Sequence, residues 1–128
     1  MRWLVDGMNL IGSRPDRWWE DRDRAIEELT EELERYASAS GDDVAVVFDS
    51  RPKGRRTGKR GPVEVQFGSG ERDAADRIIV RTVRRDASPE SLRVVTSDRA
   101  LRRDVEASGA AVVSVTAFRR RLSGQTRG

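Results

Sequence analysis

Apolar residues fall along the 128-residue chain in two rhythms, short runs of strand length and longer stripes at helical spacing. Trp3-Leu4-Val5 and Val44-Ala45-Val46-Val47-Phe48 are continuous, as expected of strands covered on both faces. Leu92-Arg93-Val94-Val95 and Ala111-Val112-Val113-Ser114-Val115 read as two further strands. Val63-Glu64-Val65-Gln66-Phe67 alternates, which predicts a strand exposed on one face and lying towards the sheet edge. Ile26, Leu29, Leu33, Tyr36 and Ala37 recur at three- and four-residue intervals and form one stripe of a long helix that Gly41 ends. Further helices are predicted from about 71 to 85, around Leu101 and Val105 up to Gly109, and from Thr116 to Leu122. Strands alternating with helices in this way predict an α/β three-layer sandwich with a mostly parallel central sheet. One domain over residues 1–122 and a disordered tail over 123–128 account for the length.

Polar residues break this pattern at corresponding places. The first strand ends in Asp6, followed by Gly7, which would let the chain turn sharply. The second ends in Asp49, and the fourth runs through Thr96 and Ser97 into Asp98. Ligands in open α/β sheets bind at the carboxyl ends of strands. Asp76 opens a helix on the face that carries Ile79, Val80 and Val83, so it points inward and needs a partner. Asp73 stands on the adjoining flank, beside a stripe of Arg77, Arg81 and Arg84. Helix-end chemistry supplies a simpler account of single acids, worth about 0.3–1 kcal/mol each near an amino terminus. It explains Asp73 but not Asp76; Asp98 could likewise be a first-turn acid behind a Thr96 or Ser97 cap. Acids repeated at strand ends, in a chain with no histidine and no cysteine, point to a carboxylate pocket for a hard cation such as Mg²⁺ or Mn²⁺.

Charge adds a second theme. The net charge is only +3, yet residues 16–35 carry nine acids against four arginines, so the rest of the chain is strongly basic. Arg51 to Gly61 holds six cations and no residue to bury, which predicts an exposed mobile loop. It leaves the sheet edge that carries the acids, so Arg55, Arg56, Lys59 and Arg60 are candidates for holding backbone phosphates beside them. Trp18 and Trp19 could stack on bases, although aromatics at a helix start more often pack on the sheet. Without histidine or cysteine, zinc sites, a histidine base and disulfides are excluded. The opening strand does not read as a leader and no apolar run is long enough to span a bilayer, so a cytoplasmic protein without membrane contact is expected.

Val5-Asp6-Gly7-Met8-Asn9-Leu10, Val47-Phe48-Asp49, Ala75-Asp76-Arg77-Ile78-Ile79 and Val95-Thr96-Ser97-Asp98-Arg99 together resemble, in order, the motifs of the YacP-like NYN domain, a branch of the PIN-like nuclease superfamily. The resemblance implies a PIN-like fold and a metal-dependent endoribonuclease. It implies Asp6, Asp76 and Asp98 as metal-binding acids, Asn9 as the amide of the first motif, which would orient a ligand or a phosphate oxygen, and Asp49 as the acid after the second strand. Asp49 and Asp73 would support the site or hold a second ion; Asp73 matches only some relatives, and Ser50 stands where a glycine is often found. RNA is the implied partner, with the ribosome a candidate source of selectivity. Two other classes are consistent with the residues. A catalytically silent RNA-binding or toxin-like interaction domain would keep the fold and the basic loop. A receiver-like phosphoacceptor needs a lysine after a late strand, and the only lysines are Lys53 and Lys59.

Overall fold

The structure, a computed structural model, describes residues 1–126. A six-stranded sheet forms its middle layer: β1 (Arg2–Asp6), β2 (Asp43–Phe48), β3 (Gly58–Arg60), β4 (Val63–Phe67), β5 (Leu92–Val95) and β6 (Ala111–Val113). Their spatial order is β3-β4-β2-β1-β5-β6, with every neighbouring pair parallel except β3 and β4. Five α-helices flank it: α1 (Gly7–Gly12), α2 (Arg22–Ser40), α3 (Ala74–Arg85), α4 (Arg99–Ala107) and α5 (Val115–Thr126).

Strand alternation sorts the core into two halves. Trp3, Val5, Val46 and Phe48 face α1, α2 and α5, where they meet Leu10, Leu29, Leu33 and Phe118. Leu4, Val47 and Val94 face the other way, onto Ala75, Ile79 and Val83 of α3 and Leu101 and Val105 of α4. This parity decides where the acids go: Asp6, two residues beyond Leu4, belongs to the row that faces α3.

The expected three layers and parallel sheet are present, with four differences in detail. Residues 7–12 form a helix rather than a turn, and Gly7 has no left-handed conformation. Its hydrogen is needed for space, since a Cβ there would lie 2.5 Å from the Phe48 ring and 2.9 Å from the Val47 carbonyl oxygen. The basic loop is shorter than expected because residues 58–60 pair with β4, which moves β4 one place in from the edge. The last strand stops at Val113, where Ser114 leaves the sheet to begin α5, its carbonyl accepting from the Phe118 N–H. That helix continues past Leu122 to Thr126 in place of the disordered tail expected from 123; residues 127 and 128 lie outside the described residues.

Candidate active site

β1, β2 and β5 are adjacent and parallel, so Asp6, Asp49 and Thr96 emerge together at one end of the sheet. Asp6 is buried, at 5% exposure. Its Oδ2 accepts a 3.0 Å hydrogen bond from Thr96 Oγ1, and the same hydroxyl oxygen accepts from the Asp98 backbone N–H at 3.2 Å. Asn9, one turn into α1, accepts through Oδ1 from the Ser97 N–H at 2.8 Å. The loop 96–98 is thus stapled to α1 on one side and to Asp6 on the other. Asn9 spends its carbonyl oxygen on this staple, which leaves the amide Nδ2 as the donor available to a ligand. Helix-capping chemistry alone does not reveal this role of Thr96; its place two residues beyond Val94, in the row facing α3, is the signal that marks it as a partner of Asp6.

Asp98 is itself the cap of α4. Its Oδ1 accepts from the Leu101 N–H at 3.0 Å, and its side chain is exposed. Asp76, in the first turn of α3, is half-buried rather than inside the core, and it lines a groove of about 710 Å³ between α3 and α4. Asp73 precedes α3 in the left-handed region at φ 62°, the one non-glycine residue with positive φ among the described residues, and its side chain makes no capping hydrogen bond. Strain of this kind collects at functional sites. Asp49 is half-buried, its carbonyl oxygen accepting from the Gly70 N–H at 2.9 Å. Gly68 lets the end of β4 pass between that carbonyl and α3: a Cβ there would lie 2.6 Å from Asp49 O and 2.8 Å from the Ala74 Cβ.

These carboxylates feel one another. Burial pushes the Asp6 carboxyl up to about 6, partly countered by the Thr96 hydrogen bond and raised further by the charges of Asp76 and Asp49. Asp76 is also pushed up to about 6, first by burial and then by Asp98, Asp73 and Asp49, with Arg77 acting against them. Among the described residues none of the five acids forms an ion pair. The donor chemistry, oxygen only and short of positive charge, suits a hard divalent cation. The spacing is more open than a preformed cage: among the described residues no three acidic side chains stand close enough to share one ion. Any cation here would keep waters in its shell or draw the carboxylates inward, as Mg²⁺ sites with few protein ligands do.

The basic segment is laid out differently from the expected flap. It departs beside Asp49 but β3 runs back antiparallel, so Lys59 and Arg60 stand opposite Glu64 and Val63, at the end of the sheet away from the acids. Arg60 pairs with Glu27 of α2 at 2.8 Å and with Glu34 at 3.4 Å, and Arg55 also pairs with Glu27. Arg56 and Lys59 are exposed and carry no ion pair among the described residues. Trp18 packs partly on the core, while Trp19 is 59% exposed and meets Trp18 edge to face.

The mostly parallel sheet of this order, flanked by helices on both faces, defines a PIN-like α/β domain. The chain belongs to the YacP-like NYN domain family, whose profile matches residues 3–127. It is therefore a nuclease-type domain that acts on RNA. Its fold is similar to that of Rae1 (YacP) from Bacillus subtilis. A single-site mutant of that protein superposes with a TM-score of 0.80 at 28% identity, covering 98% of this chain and 77% of that one. The unsubstituted Rae1 (YacP) structure gives 0.79 at 27% identity, covering 99% and 76%. No curated protein matches the chain significantly. No helix among the described residues is long and apolar enough to cross a membrane.

Proposed function

We propose that this domain is a metal-dependent endoribonuclease that hydrolyses RNA phosphodiester bonds at the carboxyl end of the sheet. The observation that supports this most is the pair Asp6 and Asp76, both raised to about 6 and neither in an ion pair among the described residues. Crowding carboxylates costs stability, and a bound cation offsets it. In this reading Asp6, Asp76 and Asp98 hold Mg²⁺ or Mn²⁺ directly or through water, with Asp49 and Asp73 supporting them or holding a second ion. Such an ion, when bound, lowers the pKa of water and neutralises charge at the scissile phosphate. Asp6 is kept in place by Thr96, Asp98 retains one oxygen free of its capping bond, and Asn9 Nδ2 donates to a phosphate oxygen. Arg56 and Lys59 are free to meet the RNA backbone, whereas Arg55 and Arg60 must first leave Glu27. Selectivity then rests on RNA structure or on a partner such as the ribosome, and the place of action is the cytoplasm.

A second reading is favoured by the open spacing of the acids: a catalytically silent RNA-binding or toxin-like interaction domain. Incubation of labelled single-stranded RNA with Mn²⁺, with Mg²⁺ and with EDTA separates the two. Cleavage in either metal that EDTA and Asp6→Asn both abolish is expected; binding without cleavage at any metal concentration would overturn the nuclease.

A further inference from the structure

The groove between α3 and α4 begins at the acids and continues away from them along a row of arginines. Asp73 and Asp76 line one end of it; Arg77, Arg81, Arg84 and Arg85 follow along α3, with Val80 and Ala100 supplying apolar surface and Asp104 standing on α4. At 1.5 Å per residue, positions 77, 81 and 84 or 85 present a cation about every turn of the helix. Arg77 is engaged by Glu71 at 3.4 Å and by the Arg72 carbonyl. Arg81, Arg84 and Arg85 are exposed and have no hydrogen bond or ion pair among the described residues. The contrast with the basic segment is direct, since there two of the four candidate cations are already neutralised by α2.

From this we infer that the α3–α4 groove is the track on which a single RNA strand enters the acidic site, its phosphates held by Arg81, Arg84 and Arg85. The inference rests on the reading of the acids as an RNA-cleaving centre and adds the direction from which the strand arrives. Charge complementarity carries it: three uncompensated guanidinium groups in a row suit a polyanion, and a planar guanidinium can also stack on an unpaired base. Apolar surface from half-buried Val80 and exposed Ala100 suits sugar and base rather than bulk water. At about 710 Å³ the groove is the size of a small-ligand pocket, with room for a nucleotide or two.

The test is binding of a fluorescent single-stranded RNA oligomer in EDTA, where no cleavage interferes, across a series of salt concentrations. The wild type is compared with the triple variant Arg81→Gln, Arg84→Gln, Arg85→Gln, which keeps helix propensity at exposed positions. A second variant carries Arg55→Ser, Arg56→Ser, Lys59→Ser and Arg60→Ser. Each lost phosphate contact removes about 0.7 from the slope of log affinity against log salt for single strands, so the triple variant should lose about 2. Its affinity at about 0.1 M salt should fall on the order of 10- to 100-fold, by more than that of the second variant. An unchanged slope in the triple variant, a loss confined to the second variant, or no RNA binding by the wild type would each overturn the track. Loss of binding in the triple variant, with no cleavage by the wild type in any metal, would leave the track standing and remove the nuclease.

Discussion

Thr96 Oγ1 donates to Asp6 Oδ2 across 90 residues of sequence, and the Asp98 N–H donates to the same hydroxyl. One side chain therefore sets the position of two acids. Thr96→Val keeps the shape, removes both bonds and leaves the buried Asp6 oxygen without this partner. It should cost about 1–3 kcal/mol. Because the hydroxyl draws the Asp6 pKa down, its loss should also raise that pKa further. Thermal melts and the pH profile of RNA cleavage check this; a wild-type melting temperature together with an unmoved profile would remove Thr96 from the site.

The raised pKa values fix how stability depends on pH when metal is chelated. Asp6 and Asp76 bind a proton more tightly folded, at about 6, than the ordinary 3.8, so their ionisation opposes folding. The stability associated with their protonated forms is present below about pH 4 and is lost as pH rises to about 6. For buried Asp6 the loss is on the order of 2–3 kcal/mol; Asp76 adds less because water reaches it. Comparing wild type with the Asp6→Asn, Asp76→Asn double variant isolates this contribution: the wild type should lose stability relative to it between pH 4 and pH 6, and parallel curves would refute it.

Asp76→Asn removes one repelling charge, so without metal the variant should melt no lower than wild type. Wild type should gain about 1.4 kcal/mol from Mn²⁺ at ten times its dissociation constant, a rise of about 3–6 °C. The variant should lose most of that rise, and cleavage with it. A destabilised variant that still responds to Mn²⁺ would show Asp76 to be a structural helix-start acid.

Gly7 and Gly12 bracket α1 and predict opposite outcomes. Gly7→Ala forces a methyl group into Phe48 and the Val47 carbonyl, and should cost about 1–3 kcal/mol. Gly12→Ala meets nothing within 4 Å and should be neutral or stabilising by up to about 1 kcal/mol. Denaturant titration of both variants measures the difference.

Asp73 allows a test of backbone strain at the site. At φ 62° an alanine meets the full penalty of the left-handed region, about 1–2 kcal/mol, whereas glycine meets none. Glycine loses more chain entropy on folding, which offsets part of this, so Asp73→Gly should be more stable than Asp73→Ala by about 0.5–1 kcal/mol, while both lose the carboxylate and should affect cleavage alike. Equal melting of the two would show that the conformation carries no strain.

The sheet and its helices were readable because buried runs and helical stripes carry the periods of their elements, as in Val44–Phe48 and in the stripe from Ile26 to Ala37. The convergence of Asp6 and Asp49 followed from their places at the ends of parallel strands. What the sequence hid depends on neighbours remote in sequence. Gly7 answers to the ring of Phe48; residues 58–60 are polar and glycine-containing, and become a strand because β4 offers an open edge. Arg55 and Arg60 looked free until α2 was placed against them, a pairing between segments about 30 residues apart that charge counting could not orient.

The central position of β1 has a consequence for synthesis. β1 is made before both of the strands that flank it, and the second of them, β5, ends only at Val95. At about 5–20 residues per second, Leu4, Val5 and Asp6 wait roughly 5–20 s before their neighbour exists. Through that interval β1 keeps at least one unpaired edge, and the acidic centre is unmade. No fragment that ends before β5 would contain the centre.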